Sequence, residues 1–209
     1  MIQVQPAILE KDINEIQRKL NLVKGVCNEV HLDVMDGEFV PNTTVNDAQA
    51  VAELDWGNLQ VSLHLMINHP DLFLRKWAFP QVSTIFVHRE AVQNMAECIR
   101  LIKGLEKKIG LAINPHTPTY DVKEFLHEVD AIMVMAVEPG WSAQAFNADV
   151  LEKISYLRSL KPTLSIVVDG GVNAVTKADI IKAGASIVCS NSYIFQSKDI
   201  AAAIANLQQ

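Results

Sequence analysis

No stretch of this sequence reaches the ~18 consecutive apolar residues that a membrane-spanning helix needs. The chain opens Met-Ile-Gln-Val-Gln-Pro, without the basic start and apolar run of a secretory signal. Its 3 cysteines, Cys27, Cys98 and Cys189, are odd in number and widely spaced, with no Cys-x-x-Cys pair. That argues against a disulfide framework and for the ordinary thiols of a reducing, cytoplasmic setting. Basic stripes are also missing: the densest cluster, Lys103 to Lys108, carries Glu106 and reads as a solvated helix end. With a formal net charge of −6, neither a nucleic-acid partner nor an anionic membrane is expected. No Pro/Gly/Ser-rich linker divides the 209 residues, so a single domain over 1–209 is expected.

What the chain does have is alternation. Apolar, β-branched runs at Gln3–Ile8, Glu29–Met35, Gln60–Met66, Thr84–His88, Gly110–Asn114, Ala131–Ala136, Leu164–Asp169 and Ser186–Ser190 read as strands. Between them, amphipathic segments read as helices over Asp12–Val23, Asp47–Leu54, Asp71–Trp77, Ala91–Leu105, Asp121–Leu126, Ala148–Ser159, Ala174–Ala183 and Asp199–Leu207. Asp121 is expected to cap the fifth, and Asn173 or Thr176 the seventh. Strands that alternate with helices in this way build a parallel sheet covered on both faces, and at this length it closes into a (β/α)8 TIM barrel. An open dinucleotide-binding sheet would place a glycine fingerprint after the first strand, where Ala7-Ile8-Leu9-Glu10-Lys11 has no glycine.

Residues two apart on a strand share a face. His31, Asp33 and Met35 therefore point one way, as do His64 and Met66, and Asp169 ends the seventh strand. Active-site groups of parallel barrels gather at the carboxyl ends of the strands, where all of these residues fall. A lone strand histidine is usually structural. Two imidazoles converging with two carboxylates, costly to bury uncompensated, point instead to one divalent ion held by His31, Asp33, His64 and Asp169. The mixed nitrogen and oxygen donors suit zinc, iron(II), manganese or cobalt. Two carboxylates flanking a carbon next to a metal-polarised carbonyl suit epimerisation through an enediolate; hydrolysis by a metal-bound water needs the same ligands, so the reaction class stays open at this point. No lysine falls at a strand's carboxyl end, which disfavours a Schiff-base aldolase.

Met35, Met66 and Met135 each end a strand and fit either core filling or a polarisable lining of the site. Asp169-Gly170-Gly171 and Ser190-Asn191-Ser192 follow strands seven and eight, where barrels commonly hold phosphate, and Pro139-Gly140-Trp141-Ser142-Ala143-Gln144 after strand six reads as a cover. His88 with Glu90 suits support of the site or a substrate hydroxyl contact as well as simple packing. His69, His116 and His127 belong to no constellation.

The motifs His31-Leu-Asp-Val-Met-Asp-Gly-Glu-Phe-Val-Pro-Asn42, His64-Leu-Met-Ile67, Val87-His-Arg-Glu-Ala91, Gly110-Leu-Ala-Ile-Asn-Pro115, Val137-Glu-Pro-Gly140, Val168-Asp-Gly-Gly-Val172 and Ser192-Tyr-Ile-Phe195 resemble, in order and nearly end to end, the ribulose-phosphate 3-epimerase family. The resemblance implies a (β/α)8 barrel and a divalent ion on His31, Asp33, His64 and Asp169. It implies Asp33 and Asp169 as acid and base, interconverting D-ribulose 5-phosphate and D-xylulose 5-phosphate. It also implies a homo-oligomer, and assigns Met35, Met66 and Met135 to the substrate site. With them go His64, Gly140, Ser142, Ala143, Gly170, Gly171, Asn191 and Ser192 as expected substrate contacts.

The chain departs from the family where substrate is held. The family's Pro-Ser-Ile-Leu is here Pro6-Ala7-Ile8-Leu9, followed by Glu10 in place of a small polar residue. Its Pro-Gly-Phe-Gly-Gly-Gln cover is Pro139-Gly-Trp-Ser-Ala-Gln144, with Ser142 and Ala143 restricting positive φ. Its Gly-Ser after strand eight is Asn191-Ser192, and asparagine tolerates left-handed geometry better than most residues. These departures motivate two alternatives: an epimerase of a six-carbon ketose phosphate of the allulose 6-phosphate type, and a non-catalytic sugar-phosphate-binding homologue.

Overall fold

The computed structural model describes residues 2–209, leaving only Met1 of the chain outside. Its strands are β1 (Gln3–Ile8), β2 (Glu29–Met35), β3 (Gln60–Met66), β4 (Val82–His88), β5 (Lys108–Ile113), β6 (Ala131–Met135), β7 (Ser165–Asp169) and β8 (Ile187–Ser190). They pair in sequence order, all parallel, and β1 also pairs with β8, closing the barrel. The outer layer is α1 (Ile13–Val23), α2 (Ala48–Ala52), α3 (Leu74–Trp77), α4 (Met95–Gly104), α5 (Tyr120–Lys123), α6 (Val150–Leu160), α7 (Lys177–Ala183), α8 (Ser192–Phe195) and α9 (Ile200–Gln208). Among the described residues, no helix is long and apolar enough to cross a membrane.

Each strand buries both faces, which is why the sequence shows near-continuous apolar runs rather than clean alternation. The outward residues Leu32, Val34, Leu63 and Leu65 join helix residues such as Ile16, Leu20 and Val23 in one continuous core. Those three sit at i, i+4 and i+7, the stripe of an amphipathic helix. Asp12 starts α1 by accepting the N–H of Asn14 at 2.8 Å.

The inward residues form a second, smaller core. Ala7, Phe86, Ala112, Met133, Val167 and Cys189 pack inside the barrel. Phe86 fills the space that Gly110 leaves, since a Cβ on Gly110 would stand 2.1 Å from the ring. Below this plug, Gln5, Glu29 and Ser62 make a polar floor, with Ser62 Oγ donating to Glu29 at 3.0 Å. Above it lie His31, Asp33, His64 and His88. Register puts Asp33 opposite His64, Met35 opposite Met66, and Met135 opposite Asp169.

Several expected boundaries move. β4 and β5 begin two residues early, at Val82 and Lys108, because Thr84 pairs with Lys108 and Val61 with Val82 across a register shift. The third helix splits into a 3₁₀ turn, Pro70–Leu72, and α3. The fourth begins only at Met95, where Asn94 accepts the Glu97 N–H, because Val92 is extended after a separate 3₁₀ turn at Arg89–Ala91. Asp121 is not a cap: α5 is one turn long and starts after Thr119, leaving Asp121 inside it. Thr176 precedes α7 without capping it by its side chain; its hydroxyl donates to Gly171 O, while Asn173 Oδ1 accepts from Val175 and Thr176.

Candidate active site and metal centre

The register of β2, β3 and β7 brings His31, Asp33, His64 and Asp169 together. One donor atom from each lies within 4.8 Å of all the others. Asp33 Oδ1 stands 2.9 Å from His64 Nδ1 and 3.3 Å from His31 Nε2, and Asp169 Oδ2 lies 3.9 Å from His64 Nδ1. Both imidazoles are fully buried, whereas Asp169 keeps 13% of its side chain exposed toward the rim. The arrangement is held from behind. Thr44 Oγ1 donates to Asp33 O and accepts from Met35 N, both at 2.9 Å, pinning the end of β2.

This donor set fits a divalent ion. Both ring nitrogens of His31 are buried without a hydrogen-bond partner, so Nε2 faces the carboxylates with its polar demand unmet. Burial pushes the His64 imidazole down to about 4, leaving the neutral ring that a metal accepts. Burial alone would raise Asp33, but the close approach of the His31 ring and the hydrogen bond with His64 hold it well below the usual carboxylate range. Asp169 goes the other way, pushed up to about 7 by burial and by the charge of Asp33. Two carboxyls with opposed shifts side by side are the arrangement that lets one hold a proton while the other is ionised.

Above the four donors lies a cavity of about 50 Å³. Met35, Met66 and Met135 wall it together with Asp33 and Asp169, and Gly140, Ser142 and Ala143 roof it. It opens beside a second hollow of about 290 Å³ lined by Ala143, Gly170, Gly171, Asn191 and Ser192. Every expected substrate contact therefore borders one of these two spaces except His64, which stands beside Asp33 on the neighbouring strand. A Cβ on Gly170 would come within 2.5 Å of Val137, and one on Gly171 within 2.7 Å of the Phe146 backbone, so both positions require glycine. A larger hollow of about 690 Å³ lies at the opposite end of the barrel, away from these groups.

The departures from the family pattern fall at three places: the cover, the surroundings of Lys19, and the plug inside the barrel. Ala143 adopts φ 61°, left-handed backbone that a β-carbon disfavours. The cover is nonetheless folded: Gln144 Nε2 donates to Glu138 O and Trp141 O, and Asn42 Nδ2 donates to Gly140 O at 2.8 Å. Glu10 and Asn191 meet at one cation, Lys19. Ala7 lies inside the buried plug with Cys189 and Phe86.

Sequence reasoning left several contributors unassigned. Asn42 and Lys19 act across long sequence separations, Thr44 pins the end of β2 from the loop that follows it, and α8 follows β8 where a loop was expected. His88, left open between support and packing, hydrogen-bonds His64, Nε2 to Nε2 at 2.8 Å. His69, His116 and His127 lie in turns or at the surface, and His116 only meets Glu138. The cysteines are unpaired, and burial pushes the Cys98 thiol up to about 12.

A closed parallel barrel with two imidazoles and two carboxylates at the carboxyl ends of its strands defines an enzyme of the (β/α)8 class with a candidate metal centre. The sequence profile of the ribulose-phosphate 3 epimerase family matches residues 3–195, and the chain belongs to that family. Proteins named ribulose-phosphate 3-epimerase are similar along the whole chain. The one from Bacillus subtilis is 35% identical, covering 100% of this chain and 99% of its own. That from Methanocaldococcus jannaschii is 34% identical, covering 100% and 91%. Among solved structures, a 3-keto-L-gulonate-6-phosphate decarboxylase from Vibrio cholerae superposes with a TM-score of 0.75 at 14% identity, covering 100% of this chain and 95% of that one. A 3-hexulose-6-phosphate synthase from Salmonella typhimurium gives 0.74 at 15% identity, covering 100% and 97%. At such identities the two structures share the fold.

Proposed function

We propose that this chain is a metal-dependent 3-epimerase interconverting D-ribulose 5-phosphate and D-xylulose 5-phosphate, with Asp33 and Asp169 as the proton carriers. The observation that carries the reading is the convergence of His31, Asp33, His64 and Asp169 directly beneath the roofed cavity. A divalent ion bound there, whether zinc, iron(II), manganese or cobalt, supplies positive charge beside the substrate carbonyl and makes the neighbouring C–H more acidic.

The protein's own groups do the rest. One aspartate, ionised, takes the C3 proton, and the electron pair moves onto the C2 oxygen as an enediolate. The other aspartate, protonated, returns a proton to the opposite face of C3, and the C2 carbonyl reforms. Met35, Met66 and Met135 surround the planar intermediate with polarisable, water-excluding surface. The second hollow, with its paired glycines and the start of α8, has the size and backbone character to seat the phosphate. Incubation of zinc- or manganese-loaded protein with ribulose 5-phosphate in deuterated water is expected to yield xylulose 5-phosphate carrying deuterium at C3. Metal-loaded protein that gives neither product nor exchange overturns the proposal.

A further inference from the structure

The candidate ligand His64 is one member of a chain of hydrogen bonds running outward from the metal centre. Its Nδ1 faces the carboxylates, 2.9 Å from Asp33 Oδ1. Its Nε2 meets Nε2 of His88 at 2.8 Å. Nδ1 of His88 meets Glu90 Oε2 at 3.2 Å. The two rings are 4.9 Å apart between centroids and 22° from coplanar, so they meet edge to edge, as an N–H···N bond requires. Both imidazoles are fully buried, so no water competes for these positions.

The far end is anchored. Glu90 Oε1 accepts the N–H of Asn114 at 2.8 Å and the hydroxyl of Thr117. Phe39 packs on the His88 ring with centroids 4.8 Å apart. Carboxylate, imidazole, imidazole and cation site therefore stand in a line whose outer member cannot turn away.

Proton counting fixes the rest. A carboxylate only accepts, so the single proton of a neutral His88 belongs on Nδ1, donating to Glu90. Nε2 of His88 is then an acceptor and takes the proton of His64 from that ring's Nε2. The lone pair of His64 is left on Nδ1, aimed at the carboxylates where a cation would sit. We propose that Glu90 and His88 are positioning residues that set the tautomer and ring orientation of His64 for metal binding. The proposal rests on the metal-centre reading above. It assigns to two residues of the β4 end a role that neither simple packing nor a substrate contact would give them. Outer partners of metal-bound histidines commonly act this way, and their loss typically lowers metal affinity by about 10–100-fold.

Two measurements test it, both using zinc(II) as the probe. In the first, zinc affinity is measured by competition with a chromogenic chelator for the full-length wild type, His88→Phe and His88→Gln. Phenylalanine removes the acceptor, while glutamine offers an amide oxygen near the position of Nε2. Affinity is expected to fall about 10–100-fold in His88→Phe and to return to within about threefold of wild type in His88→Gln. Equal affinity in all three, or no rescue by glutamine, overturns the relay while leaving the metal centre intact. A wild type that binds no zinc overturns the metal-centre reading itself, and the relay with it.

The second measurement needs no variant and stands even if His88→Phe fails to fold. Long-range proton–nitrogen correlation spectra of zinc-loaded wild type are expected to place the ring proton of His64 on Nε2 and that of His88 on Nδ1. A proton on Nε2 of His88 with its Nδ1 bare, or on Nδ1 of His64, overturns the proposal.

Discussion

Lys19 Nζ lies 3.3 Å from the side-chain oxygen of Asn191, a residue 172 positions further along the chain. The same ammonium is 2.6 Å from Glu10 Oε1 and 4.5 Å from the centre of the Phe195 ring. Two positions where this chain departs from its family, Glu10 and Asn191, are thus tied through one buried lysine on α1. These two departures therefore share one contact point.

Removing that lysine should show the connection. Lys19→Met leaves the partly exposed Glu10 without its partner, and is expected to lower stability by about 1–2 kcal/mol, between the scales for exposed and fully buried pairs. Lys19→Met combined with Glu10→Gln should recover part of that loss. Urea denaturation of the single and double variants reads both. A double variant no more stable than the single would show that the ion pair is not the source of the effect.

The paired-carboxylate mechanism makes Asp169 indispensable. Asp169→Asn keeps size and shape but cannot carry a proton, so kcat should fall by about 10²–10⁴-fold or more. Circular dichroism and thermal melting of the variant should match wild type. Turnover near the wild-type rate would exclude the two-aspartate scheme.

Inside the barrel, Gly110→Ala places a methyl group where the Phe86 ring already sits. Overpacking of this kind typically costs about 1–3 kcal/mol. Gly110→Ala with Phe86→Leu should regain stability relative to Gly110→Ala alone, because the smaller side chain vacates that volume. Thermal or chemical denaturation of the pair against each single variant checks the coupling.

Glu90 gives a stability dependence on acidity with a definite sign. Burial alone would raise its carboxyl, but hydrogen bonds from His88, Asn114 and Thr117 outweigh burial and hold it at about 2, below the ordinary 4.5. A carboxyl lowered on folding stabilises the folded state fully above its unfolded value, and that contribution fades as the pH falls toward the folded one. The stability gap between wild type and Glu90→Gln should therefore be widest near neutral pH and narrow from about pH 4.5 downward. Urea titrations of metal-free protein at several pH values measure it; a gap that stays constant to about pH 2.5 would contradict the assignment.

Much of this was legible in the residues alone. Strand identity, barrel closure and the four donors follow from apolar runs of the right length and from two-residue spacing, because a strand's side-chain period is fixed by its backbone. His31, Asp33, His64 and Asp169 lie on strands, and strand register carried them to one place. What was not legible depends on contacts between distant segments. Nothing in the local sequence pairs Lys19 with Asn191, or Asn42 with the cover at Gly140. The early start of β5 at Lys108 was hidden because a charged residue at the barrel's amino end interrupts the apolar run without interrupting the ladder with β4. The orientation of His88 was hidden for another reason: its partners are a histidine from the neighbouring strand and an acid two residues on, and only coordinates show which nitrogen meets which.

The pairing of β1 with β8 has a consequence for how competence is acquired. His31 and Asp33 belong to the second strand and Asp169 to the seventh, and the shortest way round the sheet between them runs through β8 and β1, across the seam that joins the first strand to the last. Closure of that seam holds the two sides of the donor set at fixed separation. A donor set divided in this way ties the geometry of the candidate metal centre to the integrity of the closed sheet, so whatever parts β1 from β8 also loosens the two carboxylates from each other.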